Sequence, residues 1–268
     1  MLGRLLYVSL TPQCLINEVH STKGMSNKSS LDGVIEIAGR YVTDAMLATL
    51  QSHYEALRVE RGEKTRLDLR ELSPEDQERA ALDVSFYSQN PHLPLENLCS
   101  KLNNYDPKND SQRELLEYVG KLAEFPDLSK PAGIWAHGQA GVGKSHIAVA
   151  LTKEFMRRGY QPNFVQFGAN NKLMTPNLAP QQVWILDDFN SPYGMDRDTF
   201  VRVSLNAHNT GGRMFVTSNM DYDQFMEKLH GIIGDADAKR YFDRIKGMFK
   251  VLNVVGESNR QQTAWYNP

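Results

Sequence analysis

The sequence predicts an α/β fold, a mostly parallel sheet with helices on both faces, preceded by a small and mainly helical region. Three observations predict it. Short apolar runs at 133–137, 163–167, 183–187, 213–217 and 248–255 alternate with stretches of helical period, a pattern that favours parallel strands joined by helical crossovers. Between the first of these strands and the helix after it lies Gly138-Gln139-Ala140-Gly141-Val142-Gly143-Lys144-Ser145, which fits G-x-x-x-x-G-K-[ST] without a mismatch. Upstream of about residue 110 the pattern changes to short helices separated by polar turns.

In the first region, Thr43 or Asp44 can cap a helix with Met46, Leu47, Leu50, Tyr54 and Leu57 on one face and Gly62 as its stop. Ser73-Pro74-Glu75-Asp76 reads as a second helix start, with proline in the first turn. Asn90-Pro91-His92-Leu93-Pro94 breaks the pattern before the apolar stretch Leu95 to Leu102. The apolar faces are most simply core; a partner-binding surface is the alternative. Met25-Ser26-Asn27-Lys28 looks like an initiation context, so residues 1–24 are set apart as an extension. Residues 25–104 then form the helical, partner-binding region, 105–110 a linker, and 111–268 the second domain.

That domain opens with Ser111 and Glu114 as a capping box for a helix bearing Leu115, Leu116, Val119 and Leu122, ended by Phe125-Pro126. A strand at Gly133 to His137, the glycine-rich loop and a helix to about Arg158 follow. Strands at Asn163 to Phe167 and Val183 to Asp187 come next, then a helix near Asp198 to Asn209. A strand at Arg213 to Thr217, two short helices and a last strand at Met248 to Val255 complete the domain.

Composition narrows the function. Apolar content of 41% and charged content of 23% are those of a globular chain. A net charge of −2 argues against a global polyanion binder, so contact with nucleic acid would be local or shared between subunits. Cys14 and Cys99 lie far apart without a C-x-x-C partner, which points to idle or buried thiols in a reducing, cytoplasmic compartment. No apolar run approaches the roughly eighteen residues of a membrane span, and Pro12 and Gln13 cut short the apolar start that a signal peptide would need.

The chemistry begins at the loop. Glycines let a backbone turn tightly and aim its N–H groups at phosphate oxygens beside the positive end of a helix dipole. Lys144 would reach the outer phosphates and the Ser145 hydroxyl would complete a Mg²⁺ shell, so the loop reads as a nucleoside triphosphate site. The ordinary alternative is a glycine-rich turn carrying a chance Gly-Lys-Ser. Val183-Trp184-Ile185-Leu186-Asp187-Asp188 is an apolar strand ending in two acids. Asp187 is the metal-side acid and Asp188 the acid that orients the attacking water; the alternative is a buried strand leaving the core at the polar turn Asn190-Ser191-Pro192. Arg213 to Asn219 is a second apolar strand, ending in Ser218-Asn219. The Asn219 amide can hydrogen-bond water or the γ-phosphate without competing for metal, and either residue can also cap a helix.

Taken in order, Gly138 to Ile147, Asp187-Asp188, Ser218-Asn219-Met220, Arg240-Tyr241-Phe242-Asp243-Arg244-Ile245 and Gly256-Glu257-Ser258-Asn259-Arg260 resemble the AAA+ helicase loaders of the DnaC type and the related IstB-type transposition helper ATPases. The resemblance spans roughly residues 111 to 262, and His146 directly after Lys144-Ser145 is a frequent feature of the family. It implies a P-loop ATPase using ATP and Mg²⁺, with residues 138–146 holding the nucleotide. It also implies a role in DNA replication or transposition, with a replicative helicase or transposase as protein partner, single-stranded DNA as a second ligand, and an ATP-dependent homo-oligomer. Arg244 matches an arginine finger entering the neighbouring subunit's site, and Arg260 the second sensor; the plainer readings are a helix-end arginine and a solvated tail residue. The chain departs from the family in the short segment Gly168 to Gln182 and in lacking an amino-terminal cysteine cluster. Arg157, Arg158, Lys172, Arg197 and Arg202 are candidate DNA-facing cations, with no aromatic stripe between them. Two other readings stay open: a slowly hydrolysing, nucleotide-switched adaptor, and a superfamily 3-like viral replicative helicase, which Arg240 to Arg260 fits less well.

Overall fold

The computed structural model describes residues 44–60, 72–124, 132–167, 183–191, 193–233, 235–245 and 247–258. The extension at 1–24, the Thr43 cap, Gly62, Phe125-Pro126, Lys172 and Arg260 lie outside them. The chain divides into two compact units, Met1–Cys99 with Met156–Gln161 and Ser100–Phe155 with Pro162–Pro268.

The first unit contains helices α1 (Asp44–Glu60) and α2 (Pro74–Gln89). Met46, Leu50 and Tyr54 of α1 are buried, the i, i+4, i+8 face expected of an amphipathic helix. Ser73 caps α2: its hydroxyl accepts the Asp76 N–H at 3.2 Å, and Pro74 fills the first turn, where no N–H is needed. The Leu95 to Leu102 stretch does not form a helix. It holds only 3₁₀ turns at Leu95–Asn97 and from Leu102, and the Tyr87 hydroxyl donates to the Pro94 carbonyl at 2.6 Å.

The second unit is built on a five-stranded sheet. Its elements are α3 (Asp110–Glu124), β1 (Ala132–His137), α4 (Lys144–Arg157), β2 (Asn163–Gln166) and β3 (Val183–Asp187). They continue with α5 (Gly194–Thr210), β4 (Arg213–Ser218), α6 (Tyr222–Ile233), α7 (Asp235–Ile245) and β5 (Phe249–Asn253). The order is β2-β3-β4-β1-β5 and each neighbouring pair is parallel. Every residue of β3 and β4 is buried, which explains their continuous apolar character, whereas β5 at the edge alternates less cleanly and exposes Val251. Since β1 lies between β4 and β5 and β3 beside β4, the carboxyl ends of β1, β3 and β4 converge. His137 pairs with Ser218, one residue before the glycine-rich loop.

An aromatic cluster supports that end of the sheet. The Trp135 ring meets Phe189, Phe200, Phe225 and Phe249 with centroids 5.0 to 6.4 Å apart, and Phe189 stacks on Phe200 at 5.2 Å. Phe200 has no exposed surface. Phe200→Ala is expected to cost about 3–5 kcal/mol through lost burial and a residual cavity; the urea midpoint reads this, and an unchanged midpoint would show that the cluster does not hold the domain.

The start of α3 differs from the capping box. Asn109 is the cap: its Oδ1 accepts the Gln112 N–H at 3.1 Å, while the Ser111 hydroxyl accepts the Val255 N–H at 3.1 Å and so joins α3 to the end of β5. Within the segment read as a linker, Tyr105 is buried and its hydroxyl donates to the Val142 carbonyl at 3.2 Å. Helix α5 begins four residues earlier than its pattern suggested, and β5 is the shorter core of its apolar run.

Candidate active site

The glycine-rich loop runs from the end of β1 to the first residue of α4. Gly138 has φ 148°, and a Cβ there would stand 2.0 Å from the Val254 carbonyl oxygen, so only glycine lets the loop leave β1 this close to the chain after β5. Gly143 has φ 95°, and a Cβ would meet the Tyr105 ring at 2.6 Å. Thus the turn places successive backbone N–H groups at the amino end of a fourteen-residue helix, the geometry that favours a phosphate. The Gln139 amide donates to the Gly256 carbonyl.

Lys144 is nearly buried, and its ammonium donates to the carbonyls of Gly138 at 2.6 Å and Gln139 at 2.8 Å and to Asn219 Oδ1 at 3.1 Å. The first residue of α4 and the end of β4 are therefore already joined across the site. Asp187 has no exposed surface: Thr217 donates to its Oδ1 at 2.6 Å and Gln166 to its Oδ2 at 3.4 Å, and the neighbouring Ser145 hydroxyl favours its charged form. Burial pushes the Asp187 carboxyl above its ordinary range, while the Thr217 bond and the neighbouring Ser145 hydroxyl pull it back. A buried carboxylate beside a serine hydroxyl is costly unless a cation completes it, and an oxygen-only pair suits a hard divalent ion. The residues fit Mg²⁺.

Asp188, by contrast, is exposed and stands in the left-handed region at φ 57°. Its N–H donates to the Thr217 hydroxyl at 2.9 Å, and the next N–H, of Phe189, to the Thr217 carbonyl at 2.8 Å. The turn after β3 is thereby fastened to β4.

His146 faces another way. Its Nδ1 lies 3.2 Å from the Ser100 hydroxyl, and its Nε2 lies 3.2 Å from the Lys101 carbonyl and 3.1 Å from Asn104 Oδ1. Burial holds the imidazole below its ordinary pKa, the Lys101 carbonyl opposes this, and Lys153 adds to it. The neutral ring with hydrogen on Nε2 satisfies both sides. Gln112 and Tyr105, which sequence patterns did not single out, both donate to the Val142 carbonyl, at 3.2 Å each. A cleft of about 460 Å³ lined by Lys108, Asn109, Gln112, Gly256 and Glu257 adjoins the loop through Gln112.

Arg244 is exposed at the end of α7, a helix anchored by buried Tyr241 and Ile245, with the Tyr241 hydroxyl 2.9 Å from Ser204 Oγ. Among the candidate DNA-facing cations, Arg197 pairs with Asp198 at 2.7 Å, while Arg202 is exposed. Arg157 and Arg158 are exposed too. Among the described residues no helix is long and apolar enough to cross a membrane.

No family model matches the chain. Among solved structures, it is similar to the crystal structure of DnaI at TM-score 0.51 and 23% identity, over 63% of this chain and 94% of that one. The crystal structure of the DnaC helicase loader aligns at TM-score 0.46 and 20% identity, over 60% of this chain and 99% of that one. The replication initiator DnaA bound to AMPPCP and single-stranded DNA aligns at 0.44 and 19%, over 59% and 50%. At such identities the DnaI likeness shows fold alone. With the phosphate loop and the order β2-β3-β4-β1-β5, that fold is the α/β P-loop fold of AAA+ type.

Proposed function

We propose that this chain is a Mg²⁺-dependent ATPase of the helicase-loader kind, which binds and loads or remodels a protein partner of DNA replication or transposition in the cytoplasm. The observation that carries the ATPase reading is the convergence of Lys144 on Asn219 and of Ser145 on Asp187, which joins the phosphate loop to the ends of β4 and β3. The loader reading rests on the order of motifs from Gly138 to Arg260.

In this reading the loop N–H groups and the Lys144 ammonium take the β- and γ-phosphates, exchanging the Gly138 and Gln139 carbonyls for phosphate oxygens. The cleft beside Gln112 receives the nucleoside. Ser145 and Asp187 would hold Mg²⁺, which would supply positive charge to offset that of the phosphates. Asp188 orients the attacking water and accepts its proton. Asn219 donates to the γ-phosphate, and Arg244 extends from one subunit into the site of the next. Arg260 senses the γ-phosphate from its own subunit. Residues 25–104 bind the protein partner.

Phosphate release with Mg²⁺ or with chelator, for wild type and Asp188→Asn, tests the reading. An amide cannot accept the proton, so Asp188→Asn should lose about 10²–10⁴-fold in turnover and keep ATP affinity within a few-fold. Equal turnover at saturating ATP would remove Asp188 from this role. The ATP-locked variant is then bait: a ring helicase or transposase retained with ATP and lost with ADP supports loading. Capture with negligible wild-type turnover would favour the switched adaptor, and unwinding of a forked duplex by the chain alone would favour the viral-type helicase.

A further inference from the structure

Asn190, two residues beyond the second acid, bridges the ends of two strands. Its Nδ2 donates to Asp188 Oδ1 at 2.6 Å, and its Oδ1 accepts the Asn219 N–H at 2.6 Å and the Ser218 hydroxyl at 3.3 Å. Asn219 in turn accepts from Lys144 through its own Oδ1 at 3.1 Å. A continuous run of hydrogen bonds therefore leads from the phosphate-loop ammonium through Asn219 and Asn190 to the Asp188 carboxylate. A primary amide is the side chain suited to this place, because it offers a donor to a carboxylate and an acceptor to an N–H from one planar group. Aspartate would accept from Asn219 and repel Asp188; alanine would do neither.

From this geometry we propose that Asn190 is a positioning residue for hydrolysis, which couples the phosphate-contacting Asn219 to the water-orienting Asp188; the inference rests on the ATPase reading above. Asp188 is exposed and on a turn, and its side-chain oxygen needs a fixed donor to stand at one distance from the phosphate. Asn190 supplies it, and because the same amide holds the Asn219 N–H, the acid and the sensor move together. When phosphate claims Lys144, the Lys144–Asn219 bond changes, and Asn190 carries that change to Asp188.

The test compares full-length wild type, Asn190→Ala and Asn190→Asp in three measurements: steady-state turnover against ATP concentration, affinity for a fluorescent ATP analogue, and thermal midpoint. Because an ångström of misplacement can cost about a hundredfold in rate, kcat should fall about 10- to 100-fold in both variants. Affinity should stay within about threefold, since Asn190 itself makes no phosphate contact and the Asn219 side-chain amide is left in place. Asn190→Asp keeps the acceptor for Asn219, so it guards against a variant that merely loosens the loop. Turnover within twofold of wild type in both variants overturns the inference. So does a joint fall of affinity, midpoint and kcat in both, which marks Asn190 as a structural lace. Wild-type protein without turnover overturns the ATPase reading and the inference with it, an outcome distinct from the other two.

Discussion

Lys144→Ala will leave the protein folded and unable to hold ATP. The ammonium is nearly buried and bound to two loop carbonyls and Asn219, so in wild type it is already aimed at the place where the outer phosphates would lie. Removing it deletes the one cation of the loop that can form charge-assisted bonds to those oxygens. The loop carbonyls it releases stand at the mouth of the site and can turn to water, so the thermal midpoint without ligand should change little. The ligand response is what disappears. At a free ATP concentration about a hundred times the dissociation constant, wild type should gain about 2.7 kcal/mol of stability by mass action. Lys144→Ala should gain nothing measurable in the same titration. A variant that still shifts with ATP as wild type does would place the nucleotide elsewhere.

The second large effect concerns assembly. Arg244 is exposed on a helix whose other face is pinned by Tyr241 and Ile245, so its removal leaves the helix packing in place. If it acts in the neighbouring subunit's site, Arg244→Ala should bind ATP and melt as wild type does, while turnover falls about a thousandfold or more. Specific activity of wild type should rise with protein concentration, because a head-to-tail contact is needed to complete each site. Mixing Arg244→Ala with Lys144→Ala should restore part of the activity, since an intact nucleotide site can then meet an intact arginine. Activity that is independent of concentration, with no rescue in the mixture, would make Arg244 a structural residue.

Much of this was legible in the chain itself. β3 and β4 are found where unbroken apolar runs place them, because strands covered on both faces cannot afford polar alternation and so announce themselves. The phosphate loop is equally plain, since its glycines are demanded by local backbone geometry. What stayed hidden depends on contacts between distant residues. Asn190 has the same local signature as any turn asparagine, and only the packing of β3 against β4 brings it to Asn219, twenty-nine positions away. Tyr105 sits among asparagine, aspartate and proline that suggest an open connection, yet the ring is buried against Gly143. The cap of α3 was displaced from Ser111 to Asn109 for a related reason: Ser111 is engaged by the chain after β5, which no local pattern encodes.

The left-handed backbone at Asp188 has a consequence for how this protein can be improved or worn down. Glycine would occupy that conformation without the roughly 1 kcal/mol that a side chain costs there, although aspartate is among the residues that tolerate it best. Substitutions selected only for heat resistance would therefore drift toward loss of the acid at this position. With Asp188 in its proposed role, robustness and turnover would pull in opposite directions at a single residue, and a thermostable variant found by melting temperature alone should have position 188 inspected first.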